Sequence, residues 1–541
     1  MATHSALEPL ASAKRNGHTQ RIWTAHIQPE VLKRLKQYLT ILTPEHRAQM
    51  PVIAPFTGEI IEYVPAALEE DVEEALARAR RAQRLWAQMA PASRKAILLR
   101  FHDKVLDRQE EILDLAQIES GKARRHAFEE VLDVAINARY YAVRVENYLR
   151  PKRRKGAFPV LTVTRQYHHP VGVVGLIAPW NYPVTLAVSD AIPALLAGNA
   201  VILKPAEQTP FTALQMLEML REAGLPEDVF QVVTGYGPEV GPPLINGVNF
   251  IGFTGSTATG RIIARQAGER LIHASLELGG KNPAIVLDDA DIPKTVEGLI
   301  RGCFTNAGQL CISFERLYVQ KGIFEYFVNS FLARIRQMKI AASFDWEVEM
   351  GSLISEEHLR KVHHHVEDAV EKGARLLIGG RARPDIGAFF YEPTVLMEVT
   401  DEMKVAREET FGPVVSLYSF TDVEEAIEQA NRSEYGLNAS IWTRDTRFAW
   451  EIAPRLECGT VNINEAYAAA WGSLDAPMGG MKASGLGRRH GAEGFFKYTE
   501  AQTIAEERWL PIAPPPGVRP EHFAKATTMA MRLLRYLPGL R

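Results

Sequence analysis

Cysteine is scarce: the 541 residues include three, Cys303, Cys311 and Cys458. So sparse and odd a set excludes a disulfide scaffold and points to a reduced, cytoplasmic protein. No C-x-x-C pair occurs, so no zinc site built on thiolates is expected and no metal ligand is assigned. An excess of one charge sign is also missing. Lysine and arginine number 62 against 65 aspartates and glutamates, a net charge of -3. That balance gives no field to gather nucleic acid or an anionic membrane. No apolar run approaches the roughly eighteen residues a membrane-spanning helix needs, and the first residues lack the apolar core of a signal peptide. Absent too is G-x-G-x-x-G, the phosphate loop of a standard dinucleotide fold.

What is present is a globular composition, 46% hydrophobic with 39 glycines and 32 prolines, on a chain long enough for at least two cores. A polar arm leads to a helix near 28–42. Apolar residues three and four apart make 68–149 strongly helical. The basic run RPKRRKG at 150–156 reads as a solvated linker face rather than a polyanion site, and 160–168 alternates as a strand. From Pro170 the period changes. Short Val-, Ile- and Leu-rich runs at 171–179, 200–205, 229–235, 249–255 and 274–279 are bounded by Gly and Pro, with helical stretches at 186–196, 209–223 and 259–267. Continuous apolar strands separated by helices build parallel sheets, so this is an α/β chain with a doubly wound domain. A second α/β set follows from PAIVLDD to CGTVNIN. After Gln502 a Pro-rich stretch leads to a basic amphipathic end. It is expected to pack on its own or a neighbouring subunit, with a membrane surface as the alternative.

Three segments carry chemistry. NAGQLC delivers Cys311 from a Gly-containing turn. A thiol adds to an aldehyde carbonyl, its adduct loses hydride, and the resulting thioester is open to water. Taken alone, a free cysteine is more often a small buried hydrophobe, and Cys303 and Cys458 are read that way. LELGGKNP places Glu277 at the end of an apolar strand, where desolvation raises a carboxyl toward the range of a general base; a surface glutamate is the competing reading. APWNYP puts Asn181 at the carboxyl end of the first parallel strand, where ligands of doubly wound sheets bind. Its amide can donate to an oxyanion, with the Cys311 backbone N–H as a second donor. FTGSTATG runs from a strand into a helix whose first amides and Ser256 can hold a pyrophosphate. KPAEQTP sets Lys204 and Glu207 beside a ribose, and such a carboxylate favours NAD over NADP.

With these segments in view, the chain resembles the aldehyde dehydrogenase superfamily from about residue 52 to 502. Nine segments occur in that family's order, including GQLC, EETFGPV, YGLNASIW and PMGGMKASGLGRRHG, with Cys311 34 positions after Glu277. The resemblance implies Cys311 as nucleophile, Glu277 as base and Asn181 as oxyanion donor. It implies Lys204 and Glu207 at the adenosine ribose, Ser256 with Gly255 at the pyrophosphate, Glu409 at the nicotinamide ribose and Phe411 beside the ring, with Trp180 also at the cofactor. The implied architecture is a dinucleotide domain (46–150 and 170–279), a catalytic domain (280–482) and a small β oligomerisation flap (151–169 and 483–504). An arm at 1–45 and a tail at 505–541 flank them. Homodimers or homotetramers would follow from exchange of the flap strands.

The substrate mouth implied by the family is lined here by Tyr182, Leu310, Ile312, Ser313, Tyr467 and Trp471, together with Thr185. Apolar and aromatic walls suit aromatic or medium-chain aliphatic aldehydes. Longer stretches, such as GSLISEEHL and AWGSLDAPMGGM, resemble a bacterial succinate-semialdehyde dehydrogenase subgroup. A carboxylate substrate calls for a cation, and Arg124 or Arg125 are the candidates; exposed helix arginines are the competing reading. The cofactor reading is NAD, with NADP as the alternative. A non-catalytic protein reusing the fold would have lost the thiol or the base, and this chain has both. His363, His364 and His365 fan out about 100° apart on a helix and cannot converge on one metal ion.

Overall fold

The computed structural model describes residues 26–156, 162–508 and 513–536. The arm at 1–25, the start of the 160–168 strand and the last five residues lie outside them. Near the start, Pro29–Lys36 forms the expected helix, shorter than the 28–42 reading. The segments Gln49–Ala54 and Glu59–Pro65, which the sequence reading passed over, pair as an antiparallel hairpin.

The helical stretch resolves into four helices, Glu69–Gln88, Pro91–Asp107, Gln109–Ser120 and Arg124–Leu149. Asp71 starts the first of them. Its carboxylate accepts the Leu68 and Leu42 amides, each at 2.8 Å, and pairs with Arg47. Gly121 ends the third in the left-handed region at φ 69°, where a side chain would be strained.

One sheet holds five parallel strands in the order His273–Glu277, Phe250–Thr254, Val173–Ile177, Ala200–Lys204, Phe230–Val232. In chain order these are the fifth, fourth, first, second and third, so connections leave the first strand in both directions. This is double winding, and it opens a crevice at the carboxyl ends of Val173–Ile177 and Phe250–Thr254. Gly485–Leu486 adds antiparallel at the His273–Glu277 edge.

The second sheet has seven strands: Arg375–Ile378, Thr394–Met397, Val414–Phe420, Phe314–Gln320, Asn282–Val286, Asn438–Trp442 and Thr460–Ile463. All neighbours are parallel except the first pair. Its core includes Leu317, Val319, Phe327 and Phe331, buried to 0% exposure.

A third sheet of three antiparallel strands joins Thr499–Glu507, Thr162–Pro170 and Lys152–Lys155. The basic run is therefore a strand and not a linker. Its side chains stay largely exposed while its backbone pairs with Thr162–Pro170. The helix Gly491–Phe496 precedes the outer strand, so Phe495 is a buried core residue rather than part of it. In the tail, Pro520–Leu534 is a helix with no buried residue, so no described part of the subunit covers it. No helix among the described residues is long and apolar enough to cross a membrane.

Candidate active site

The loop that carries Cys311 is held by glycine and asparagine. Asn306, Ala307 and Gly308 all lie in the left-handed region, at φ 52°, 54° and 71°. A Cβ on Gly308 would sit 2.1 Å from the Gly412 carbonyl oxygen, so this close crossing admits no side chain. Beyond it, the Asn282 amide donates to the Cys311 and Ser313 carbonyls, both at 2.7 Å. Gly280 passes so near that a Cβ there would lie 2.6 Å from the Cys311 oxygen. The thiol's backbone is thus clamped from both sides.

Asn181 lies just past the strand Val173–Ile177. Its side-chain amide donates to the Gln309 carbonyl at 3.1 Å, which uses one of its two N–H bonds. Its own carbonyl accepts from Lys122 Nζ at 2.8 Å and from the Asn306 amide at 3.0 Å. Lys122 and Glu130 form a fully buried ion pair. Glu130 also caps the helix Pro183–Val188 by accepting the Val184 and Thr185 amides at 2.8 and 3.1 Å.

Two cavities meet at the thiol. Cys311, Asn181, Thr254 and Glu277 line both. One is completed by Tyr182, Leu310, Ile312, Tyr467 and Trp471, all expected at the mouth, together with Thr185. The other is completed by Trp180, Gly255, Ser256, Glu409 and Phe411, five of the seven residues expected at the cofactor.

Glu277 ends its strand 6% exposed, and its Oε1 has no hydrogen-bond partner. Burial pushes its carboxyl up to about 7, against the pull of Arg489 and Lys497. Burial also pushes the Cys311 thiol up to about 12, with Glu409 and Glu277 adding to the rise. The thiol is therefore protonated at rest, and a base has to take its proton.

In the second cavity, Glu409 accepts the Gly280 amide at 2.8 Å, and burial lifts its carboxyl to about 7. Glu315, paired with buried Lys281, accepts the Thr410 and Phe411 amides at 3.0 and 2.9 Å. That holds Phe411 at φ 58°, with its ring edge-on to Trp180 at 5.5 Å. Ser256 caps the helix Thr257–Glu269 by accepting from the Thr259 amide at 3.3 Å. Its hydroxyl is therefore engaged, and anion affinity at this helix start comes first from the unpaired amides. Gly255 leaves no room for a Cβ, which would lie 2.4 Å from the Phe253 ring.

Lys204 and Glu207 stand at the end of the neighbouring strand, outside both linings. Glu207 Oε1 accepts from Lys204 Nζ at 2.6 Å and from the Gly237 amide at 3.0 Å. These features suit a nicotinamide dinucleotide, with an anion-holding helix start, a carboxylate near the ring side and aromatic walls.

Two expectations need correction. Ser313 faces away from the mouth, because its hydroxyl donates to the Gly302 and Cys303 carbonyls at 2.9 and 3.2 Å. Neither Arg124 nor Arg125 reaches the cavity. Arg124 donates to Asp114 at 2.6 Å and Gln117 at 2.9 Å, and Arg125 donates to the Trp346 carbonyl at 3.0 Å.

The sequence reading missed Glu129, Asp133, Arg489 and His490, which also line the mouth. Glu129 and Asp133 lie four apart on one helix face, a spacing legible in the chain. Which neighbour that face meets was not. His363, His364 and His365 go separately to Tyr391, Lys404 and Thr410.

Residues 42–504 match a family model described as the aldehyde dehydrogenase family. A relative from Mycolicibacterium smegmatis, provisionally named succinate-semialdehyde dehydrogenase, NADP(+), is 51% identical over 94% of this chain and 98% of its own. Another of that provisional name, from Sinorhizobium fredii, is 38% identical over 87% and 96%. A solved betaine aldehyde dehydrogenase from Staphylococcus aureus, in complex with NAD+, superposes with a TM-score of 0.84 at 32% identity, covering 89% of this chain and 97% of that one. A solved NADP-dependent enzyme from E. coli gives 0.82 at 36%, covering 85% and 95%.

Proposed function

Since the chain belongs to the aldehyde dehydrogenase family, we propose that it oxidises succinate semialdehyde to succinate through a thiohemiacetal and a thioester on Cys311. The observation that carries this reading is the common wall of the two cavities. A thiol, an amide donor and a buried unpartnered carboxyl face an aldehyde space on one side and a dinucleotide space on the other. The substrate follows from the names of relatives at 51% and 38% identity.

In this mechanism the Cys311 thiol gives up its proton to solvent as sulfur adds to the carbonyl carbon. The free N–H of Asn181 and the Cys311 amide take up the oxyanion. A nicotinamide dinucleotide, when bound, supplies the acceptor for the hydride that leaves the adduct. Glu277 then draws a proton from water, the hydroxide adds to the thioester carbon, the C–S bond breaks to give the acid, and the departing thiolate takes that proton back from Glu277. Trp180, Glu409 and Phe411 would hold the nicotinamide end, Gly255 and Ser256 the pyrophosphate, and Lys204 and Glu207 the adenosine ribose. NAD is the proposed cofactor, with NADP as a second, since the Lys204 ammonium beside Glu207 offsets the carboxylate's repulsion of a 2′-phosphate.

Tyr182, Tyr467 and Trp471 favour a second reading, an aromatic or medium-chain aliphatic aldehyde. We also assign the three-stranded sheet as the surface through which copies of the chain assemble as dimers or tetramers. The test is an initial-rate screen of succinate semialdehyde against benzaldehyde and hexanal with each nicotinamide cofactor. Highest kcat/KM for succinate semialdehyde supports the first reading, and turnover confined to the other two aldehydes replaces it.

A further inference from the structure

Adjacent glutamates on the Arg124–Leu149 helix have opposite fates. Glu130 is buried against Lys122. Glu129 instead turns into the aldehyde cavity, where no residue forms a salt bridge with it among those described. Its carboxyl is held by two phenols. Tyr467 Oη lies 3.1 Å from Oε1 and 3.3 Å from Oε2, and Tyr182 Oη lies 3.4 Å from Oε2. Tyr467 is itself located by Thr305 Oγ1 at 3.1 Å.

The other charged groups of this wall are already balanced or spoken for. Arg489 faces Asp190 at 3.3 Å, and Asp133 is bonded to Ser189 and Asn137, both at 2.9 Å. His490 is neutral, because burial beside Arg489 lowers it to about 3. Glu277 faces the thiol. Glu129 is the acid left to meet a substrate.

We propose that Glu129 determines whether the enzyme accepts an aldehyde whose far end is a carboxylate: protonated, it donates a hydrogen bond to that carboxylate, and ionised, it repels it. This rests on the reading of Cys311 as nucleophile and of succinate semialdehyde as substrate. Two carboxyls sharing a site hold one proton between them, because two like charges at contact cannot both remain ionised. Burial has already lifted Glu129 to about 7, against the phenol of Tyr467, the charges of Arg301 and Lys122, and the phenol of Tyr182. A neighbouring carboxylate would lift it further. An uncharged tail makes no such demand.

The experiment compares kcat/KM for succinate semialdehyde and butanal at pH 6 and pH 8, in the wild type, E129Q and Y467F, with saturating NAD. Taking the ratio of the two substrates cancels the titration of Glu277, which serves both. For the wild type the ratio should fall about tenfold between the two pH values, as one proton is lost. E129Q, which donates but cannot ionise, should hold the ratio flat. Y467F removes a donor to the ionised form and should move the fall to higher pH.

A flat wild-type ratio overturns the proposal, and so does an E129Q ratio that falls as the wild type does. The wild-type and Y467F profiles decide the matter even if E129Q fails to fold. A wild type that oxidises butanal but not succinate semialdehyde at either pH overturns the substrate reading instead. In that case, succinate semialdehyde activity gained in E129Q keeps Glu129 as the discriminating group, and no gain removes it.

Discussion

Glu277 faces Cys311 across both cavities, and its Oε1 is buried without a hydrogen-bond partner. An unpaired buried carboxyl oxygen costs stability unless something else uses it. Here the candidate user is water on its way to a thioester. With its carboxyl near 7, the base works only when ionised, so turnover should be lost as pH falls through about 7 and level off above it. Glu277→Gln should cut steady-state turnover by about 10²–10⁴-fold while a first burst of reduced cofactor still appears. Stopped-flow absorbance would show both, and unchanged steady-state turnover would take Glu277 out of this role.

The thiol makes a separate prediction. Because burial holds Cys311 near 12, its thiolate fraction in the free enzyme should rise about tenfold per pH unit across the neutral range. Inactivation by iodoacetamide should follow that slope with no plateau below pH 9. A plateau near pH 7 would mean that the thiol is already ionised at rest. Cys311→Ser should abolish aldehyde oxidation and leave cofactor binding, measured by fluorescence titration, unchanged.

Cofactor choice turns on Glu207. Lys204 and the Gly237 amide both engage its Oε1, which leaves Oε2 for the proposed ribose. Glu207→Ser should raise kcat/KM for NADP relative to NAD by about tenfold or more, a change on the order of 1.4 kcal/mol. An unchanged ratio would show that the ribose lies elsewhere.

The parallel strands were legible because strands buried on both faces read as continuous apolar runs, and Val173–Ile177 and Ala200–Lys204 do. The segments that meet at the two cavities were legible as local motifs of Gly, Asn and Cys. What the sequence hid depends on contacts between distant segments. Ser313 sits two residues from the thiol, yet the loop turns it toward the Gly302 and Cys303 carbonyls. Glu129 becomes a pocket residue only when its helix meets Tyr182 and Tyr467 from two other segments. The strand Lys152–Lys155 carries charge on every side chain, and pairing of its backbone, to which hydrophobic patterning is blind, makes it a strand.

The crossing at Gly308 can be tested against a glycine that lacks such constraints. Gly308 has φ 71°, and a Cβ there would meet the Gly412 oxygen at 2.1 Å and the Pro413 nitrogen at 3.0 Å. These are backbone atoms that cannot swing aside. Gly308→Ala should therefore cost about 1–2 kcal/mol for the left-handed conformation, and about 1–3 kcal/mol more for the clash. Gly268, in the helix Thr257–Glu269, has nothing within 4 Å of a built Cβ, so Gly268→Ala should be neutral or stabilise by about 0.5–1 kcal/mol. The loop displaced in Gly308→Ala carries Cys311 with it, and a shift of about 1 Å at a reacting atom costs about 10²-fold in rate. Thermal unfolding and kcat/KM should both fall for the first variant and hold for the second. A Gly308→Ala protein with unaltered Tm and kcat/KM would show that the Cys311 loop does not depend on this crossing.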